Sequence, residues 1–464
     1  MLQVIYGIAP KAKLCFASDE TGSFADALAS LTSATGPCQA NVIIGDSFAG
    51  EGSVIFAGSV GAFSEGSDSA AINQAVAAGV TVVIAAGDLG PGVYNGTFKA
   101  VSDAAARAGT FGNLKLSQVP TALTAGGFHD FSTTGTPQLA YSVSTSGTTV
   151  HALDWDDIAT SFSSSATYNF LVFDKDGNYF KDSSGINNAF GAGPNSEFAF
   201  LGDTNQVAIS LAAPATGATP TRLRITSDTG TTDITVTGLP AAPAGPSLYG
   251  TAAAAGAISV SSYSKDNLAK PDAYNSCGPF TEVFDSSGNR LATPETRLKP
   301  DVAGVDGVDA TFFPGVFSPA AEFDTDNDGF ANVPGSSISA AAVGAVAALA
   351  IQASGGTATP AQVSTWLRQA ASHASTWAPS DGYGLIDAVG ATTLGAGGSL
   401  TAGADAGTSI GALVDAGAID PGSSSKISSG CGSAGPTGVL WMLLACALLA
   451  AARARRRGLS PVRK

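Results

Sequence analysis

The sequence predicts an α/β protein built on a parallel sheet, and three stretches carry that prediction. Residues 41–48 (NVIIGDSF) and 80–86 (VTVVIAA) are short, almost wholly apolar runs, the pattern of strands covered on both faces. A helical segment at 68–78 leads straight into the second of them, which gives the strand–helix–strand rhythm of parallel pairing. The third stretch, 335–350, carries small or branched apolar residues on every side, so as a helix it has to be buried all round.

The chain of 464 residues is long enough for one large domain with an insert or appendix, and its 44% apolar content supplies a sizeable core. Only 13% of residues are charged and the formal net charge is −15. Clustered Lys and Arg occur only at the extreme C-terminus, which argues against a nucleic-acid partner. Five cysteines are too few for a disulfide scaffold. Cys15 and Cys38 would pair in an exported protein and are otherwise small buried residues, whereas Cys277, Cys431 and Cys446 have no evident partners.

Taken in order, residues 1–10 (MLQVIYGIAP) read as the end of a helix, with Leu2, Ile5 and Ile8 on one face and Pro10 stopping it. Residues 13–18 (KLCFAS) read as a short strand, 23–32 as an amphipathic helix, and 41–48 as the first buried strand. The helix at 68–78 turns Ile72, Ala75 and Val76 inward. After the second buried strand comes Gly87-Asp88-Leu89-Gly90-Pro91, at the carboxyl end of a strand, where ligands of parallel sheets bind. Asp88 is therefore a candidate site residue; its structural alternative is a turn or helix-cap residue in a Gly-rich loop.

From about residue 116 the pattern changes to period two. Residues 168–173, 198–201, 207–211 and 222–226 are short alternating strands separated by turn residues, with Asp176-Gly177 as a hairpin turn. They predict a β-sandwich inserted at 116–238. Its His129, Asp154, Asp156 and Asp157 are metal-type ligands that read equally well as strand-end acids.

Around residue 252 the α/β pattern returns, with a strand at 257–261. Residues 324–329 (DTDNDG) place Asp324, Asp326 and Asp328 at the first, third and fifth positions and Gly329 at the sixth of a calcium loop. Position twelve is Gly335 rather than Glu, so a tight acidic turn is the alternative. Ser336 and Ser337 then open the apolar helix at its electropositive end, where either is a natural N-cap. Thr359-Pro360 caps a further helix at 362–370, and the fold ends near residue 392.

The segment from Gly335 resembles the nucleophile segment of subtilisin-like serine peptidases, Gly-Thr-Ser-x-Ala-x-Pro-His-Val-Ala-Gly. Gly335, Ser337, Ala340 and Val343 fit or nearly fit it, and Ala341-Ala342 replaces the Pro-His pair. IAPKAKL at 8–14, AINQAVAAGV at 71–80, AAGDLG at 85–90, SCGP at 276–279, RLKPDVA at 297–303 and SDGYGLIDA at 380–388 are similar to further runs of that family. GFHDF, LDWDD and YNFLVFDKDGN in the insert look like fragments of the insert carried by some large bacterial subtilases. The resemblance implies a subtilisin-like three-layer parallel sheet, with Ser337 as nucleophile and protein or peptide substrates. It divides the chain into a first subtilase part (1–115), the inserted sandwich (116–238), a second subtilase part (239–392), a Gly/Ala/Ser-rich linker (393–430) and a tail (431–464). It also places Asp88 where the family has an Asn that donates to the oxyanion. An ionised carboxylate there repels a developing oxyanion, so Asp88 helps only when protonated; losing such a donor costs about 10²–10³ in rate.

The tail pairs Cys431 with an apolar run at about 437–452 and an arginine cluster at 453–457. It resembles the cysteine, hydrophobic helix and Arg-rich sorting tail of myxobacterial surface proteins. It predicts a transmembrane helix and an exported protein anchored at the membrane or cell surface. Residues 1–20 lack a signal peptide, and His129, His151 and His373 sit in contexts unlike His-Gly-Thr. The expectation is that further sequence precedes Met1 and carries the export signal, the catalytic Asp and the catalytic His. Three functions remain open at this level: a serine endopeptidase, a catalytically dead pseudoprotease that binds or supports at the surface, and a sedolisin-like acid peptidase with an oxyanion Asp.

Overall fold

The computed structural model describes residues 1–18, 23–45, 67–156, 167–183, 196–213, 222–227, 235–239, 245–285, 289–310 and 324–400. Seven helices are described: α1 (Leu2–Ile8), α2 (Phe24–Thr32), α3 (Ser67–Ala77), α4 (Asp103–Ala108), α5 (Ser336–Ala353), α6 (Pro360–Gln369) and α7 (Ala388–Gly395). The strands are β1 (Val42–Gly45), β2 (Thr81–Ala85), β3 (Tyr94–Thr97), β4 (Ala100–Val101), β5 (Gly127–His129), β6 (Ala140–Ser144), β7 (Thr149–Trp155), β8 (Thr167–Phe173), β9 (Tyr179–Asp182) and β10 (Ser196–Leu201). They continue with β11 (Asn205–Ala213), β12 (Arg222–Ser227), β13 (Thr235–Thr237), β14 (Ile258–Ser264), β15 (Phe280–Phe284), β16 (Arg290–Arg297), β17 (Val302–Asp306), β18 (Val308–Ala310) and β19 (Ala331–Val333).

β1, β2, β14 and β17 form a parallel sheet in that order. Because successive side chains leave a strand on opposite faces, each apolar strand feeds two cores. Val83, Ala85, Ile258, Val260 and Val302 meet Val343, Val346 and Ala347 of α5 on one face. Ile43, Val82 and Ile84 meet Leu28 of α2 and Ile72 and Ala75 of α3 on the other. The result is an α/β arrangement with the parallel sheet covered on both faces, as the apolar runs predict.

Helix α5 is the centre of this layer system. It is long and apolar enough to cross a membrane, yet 67% of it is buried inside the protein, between the sheet, α1 and α7. Gly304 of β17 lets it approach closely, since a Cβ there would lie 2.7 Å from the Ser339 carbonyl oxygen. The tail helix expected at 437–452 lies outside the described residues.

Two expectations change locally. Residues 13–18 form no strand, since they pair with none of the described strands and an extended segment without a ladder is not a strand. They are instead tied down by a Cys15–Cys38 disulfide with Cα atoms 6.0 Å apart, and Phe16 is 78% exposed. In addition, the antiparallel strands begin at Tyr94 rather than near residue 116; β3 (YNGT) and β4 (AV) are too short to show alternation.

Those antiparallel strands make two sheets, β10-β7-β12-β3 and β13-β6-β11-β5-β4 with β8 and β9 attached. Tyr141, Val143, Leu153, Trp155, Phe170 and Ile225 interdigitate between them, the core of a β-sandwich. Of the acidic residues read as metal-type ligands, Asp154 forms a buried pair with Arg224 at 3.2 Å. Asp156 holds Arg290 of β16 at 2.9 Å, and Asp157 lies outside the described residues.

Candidate active site at the head of the buried helix

The carboxyl ends of β2 and β17 and the first turn of α5 converge at one edge of the parallel sheet. Strand β2 ends at Ala85 and runs into Gly87, Asp88, Leu89 and Gly90; β17 ends at Asp306. The helix starts at Ser336 with Gly335 as N-cap. Gly335 has φ 115°, a backbone conformation that favours glycine, and a Cβ there would lie 3.0 Å from Asp88 Oδ2.

Neither serine serves as the N-cap expected from the sequence. The Ser336 N–H instead donates to Asp88 Oδ1 at 2.9 Å, while its Oγ accepts the Gly87 N–H at 3.1 Å. Asp88 therefore does what a capping side chain does, but from another part of the chain: it supplies an acceptor to an otherwise orphaned helix N–H. Ser336, Ile338 and Ser339 are buried, whereas Ser337 between them reaches the surface. The two adjacent serines thus differ in burial, Ser336 lying inside the fold and Ser337 half-buried at its edge.

The Asp88 loop is held from below by the segment after β14. Ser276 Oγ accepts the Leu89 N–H at 3.1 Å, and the Gly87 and Tyr274 carbonyls accept the N–H groups of Ser276 at 2.8 Å and Gly90 at 2.7 Å. Two carboxyl groups close to the site escaped the sequence reading. Burial pushes Asp306 above the usual carboxylate range. Asp272 is also pushed up, by burial and then by the negative charges of Asp306 and Asp88. Neither residue sits in a recognisable motif; the signal available was only that Asp306 ends an apolar strand.

The histidines have other duties. His129 Nδ1 accepts the Lys99 N–H at 3.1 Å, and its Nε2 meets the Tyr94 hydroxyl at 2.9 Å. Burial lowers its pKa to about 4. His151 is buried in the sandwich against Tyr141, and burial lowers it to about 3. His373 places Nδ1 on the Thr376 carbonyl and Nε2 on Asp381, at 2.7 and 2.9 Å. Asp381 also accepts from Tyr263, which clusters with Ala303 and Val305, on the face of β17 opposite Gly304 and α5. Both ring nitrogens of His129 and of His373 are thus occupied away from Ser337.

The acidic turn before α5 is arranged differently from a complete calcium loop. Asp326 and Asp328 gather with Asp309 of β18, their ligand oxygens within 4.8 Å of one another. Asp324 turns inward to its own loop, accepting the N–H groups of Asp328 and Gly329 at 3.0 and 2.9 Å. Lys265 pairs with Asp326 at 3.0 Å.

The chain aligns with several solved protease structures. The CspB protease of Clostridium perfringens shares 14% identity over 70% of this chain and 62% of that one, at TM-score 0.35. The self-cleaved protease domain of PatA shares 17% identity over 33% and 46%, at 0.22. MycP1 without its N-terminal propeptide shares 23% over 35% and 40%, at 0.18. In each case the match spans less than two thirds of the solved chain. No curated protein sequence matches. The family model described as the subtilase family matches residues 186–385; the matched stretch includes Asp306 and Ser337 and begins after Asp88.

Proposed function

We propose that the protein is a serine endopeptidase that hydrolyses peptide bonds through an acyl-enzyme on Ser337. The observation that carries this reading is the placement of Ser337. It is a half-buried serine at the head of a buried helix, at the carboxyl edge of a parallel sheet, inside the region that matches the subtilase model. Asp88 accepts the Ser336 N–H through Oδ1, and it can donate to an oxyanion only when its carboxyl is protonated. Serine is a poor nucleophile without a base. Among the described residues no histidine stands as that base: His129 and His373 are hydrogen-bonded elsewhere and His151 is buried in the sandwich.

One observation favours a second reading, a pseudoprotease that keeps the fold as a binding or structural surface. Asp88 acts as a helix cap in the place where catalysis wants a donor. A sedolisin-like acid peptidase is the third; the raised Asp272 and Asp306 beside Asp88 suit a site that works protonated. The remaining expectations stand as proposals with it: protein or peptide substrates rather than nucleic acid, calcium at the acidic turn, and an exported protein held at the membrane by the 437–452 helix.

Incubation with a fluorophosphonate between about pH 4 and 9, followed by intact and peptide mass analysis, tests the reading. The expected result is a single adduct on Ser337 that Ser337→Ala abolishes. Absence of any adduct across that range leaves the pseudoprotease.

A further inference from the structure

A closed circuit of hydrogen bonds surrounds the turn before Ser337. The Ser336 N–H reaches Asp88, and the Gly90 N–H, two residues further along that loop, reaches the Tyr274 carbonyl. The Tyr274 hydroxyl donates to Asp306 Oδ2, and the same oxygen accepts the Gly335 N–H at 2.5 Å. Gly335 is bonded to Ser336, which closes the ring. Every link crosses between elements that are far apart in sequence, so the positive-φ turn at Gly335 is held from both sides.

Asp306 is the member without an obvious structural excuse. It is 1% exposed and takes part in no ion pair among the described residues, and burying an uncompensated carboxyl group is costly. Two donors converge on it, and both lead to the site: one is the residue two before Ser337, the other the residue that holds the Asp88 loop. We propose that Asp306 is a positioning residue, locking the Gly335 turn and the Asp88 loop into one frame so that Ser337 is presented at a fixed place. Tyr274 is the strap that joins the two halves. The catalytic consequence rests on Ser337 being the nucleophile; the geometric claim does not.

The test is amide hydrogen exchange at residue resolution on the full chain, comparing wild type with Asp306→Ala, Asp306→Asn and Tyr274→Phe. Asp306→Ala is expected to speed exchange at Gly335 and Ser336 by about tenfold or more, with residues 345–353 unchanged. Asp306→Asn keeps an acceptor oxygen and restores most of the protection, and Tyr274→Phe falls between. If wild type is labelled at Ser337 by the fluorophosphonate, the labelling rate follows the same order. Exchange within about twofold of wild type in both the Ala and Phe variants overturns the proposal, as does an Asn variant no better than Ala. Should Asp306→Ala fail to fold, Tyr274→Phe decides by the same threshold. A wild type that takes no label counts against the peptidase reading alone, and the exchange result still decides the role of Asp306.

Discussion

Asp88 Oδ1 accepts the backbone N–H of Ser336 at 2.9 Å, so the residue at the candidate oxyanion position also starts the helix that carries the candidate nucleophile. Stability and chemistry meet in one carboxyl group, and substitution separates them. Asp88→Ala removes the cap and is expected to cost about 1 kcal/mol in chemical denaturation. Asp88→Asn keeps an acceptor for Ser336 and adds an N–H donor, so stability should stay near wild type. In an active protein, labelling of Ser337 near neutral pH should then rise, on the order of 10²-fold. Equal labelling of the Asn and wild-type proteins would remove Asp88 from the oxyanion role.

Gly335→Ala is a stronger perturbation than its size suggests. The new Cβ meets Asp88 Oδ2 at 3.0 Å on a backbone at φ 115°, and holding a non-glycine residue there costs about 1–3 kcal/mol. A melting temperature unchanged from wild type would show that the turn relaxes freely.

Acid sensitivity is expected to begin in the sandwich. His129 and His151 are neutral in the fold, their pKa values lowered by burial to about 4 and about 3 from an ordinary 6.5. The unfolded chain binds these two protons as pH falls below about 6.5 while the folded chain does not. Stability is therefore fully present above that pH and declines from there toward about 4, by up to about 1.4 kcal/mol per pH unit for each histidine. Asp130 and Lys99 face His129 with opposing effects smaller than burial. Thermal melts from pH 7.5 to about 4.5 read this directly; a flat profile down to pH 5 would contradict the burial of these rings. Such a profile also bears on an acid peptidase, since the sandwich would weaken where that enzyme works.

Calcium is expected to raise the melting temperature through Asp309, Asp326 and Asp328. At a hundredfold excess over Kd the gain is about 2.7 kcal/mol. Asp309→Asn should abolish it. Asp324→Asn should leave binding largely intact while loosening the turn, because Asp324 caps backbone N–H groups. No shift between calcium and EDTA would leave an acidic turn and nothing more.

How much of this was legible in the sequence follows from how local each signal is. The strand at 81–85, buried at every position, and the helix at 336–353 announce themselves because burial leaves few polar residues to interrupt the run, whereas the strand at 42–45 is fully buried only at Ile43. The helix cap at Thr359 and the Asp176-Gly177 turn are equally plain, being made within a few residues. The site was read only in part. Ser337 and Asp88 sit in motif-like surroundings, but Asp306, Tyr274 and Ser276 contribute through contacts between distant segments. The third acid beside Asp326 and Asp328 was missed for the same reason, since Asp309 arrives from the other strand of a hairpin. The strand reading of 13–18 failed differently: alternation signals a segment able to pair and says nothing about whether a partner strand is there.

The paired backbones of Gly92 and Gly245 set how separable the sandwich is. Each donates its N–H to the other's carbonyl, at 2.7 and 3.1 Å, so the chain leaves the α/β layers and returns to them at points about 5.5 Å apart. A tight two-residue turn spans such a gap. The chain between them, with the antiparallel sandwich, is then a cassette whose backbone enters and leaves at one place, four residues past Asp88, with Asp156–Arg290 as a further tie to the rest of the fold; a protein that exchanged or shed it could close the backbone without opening the parallel sheet.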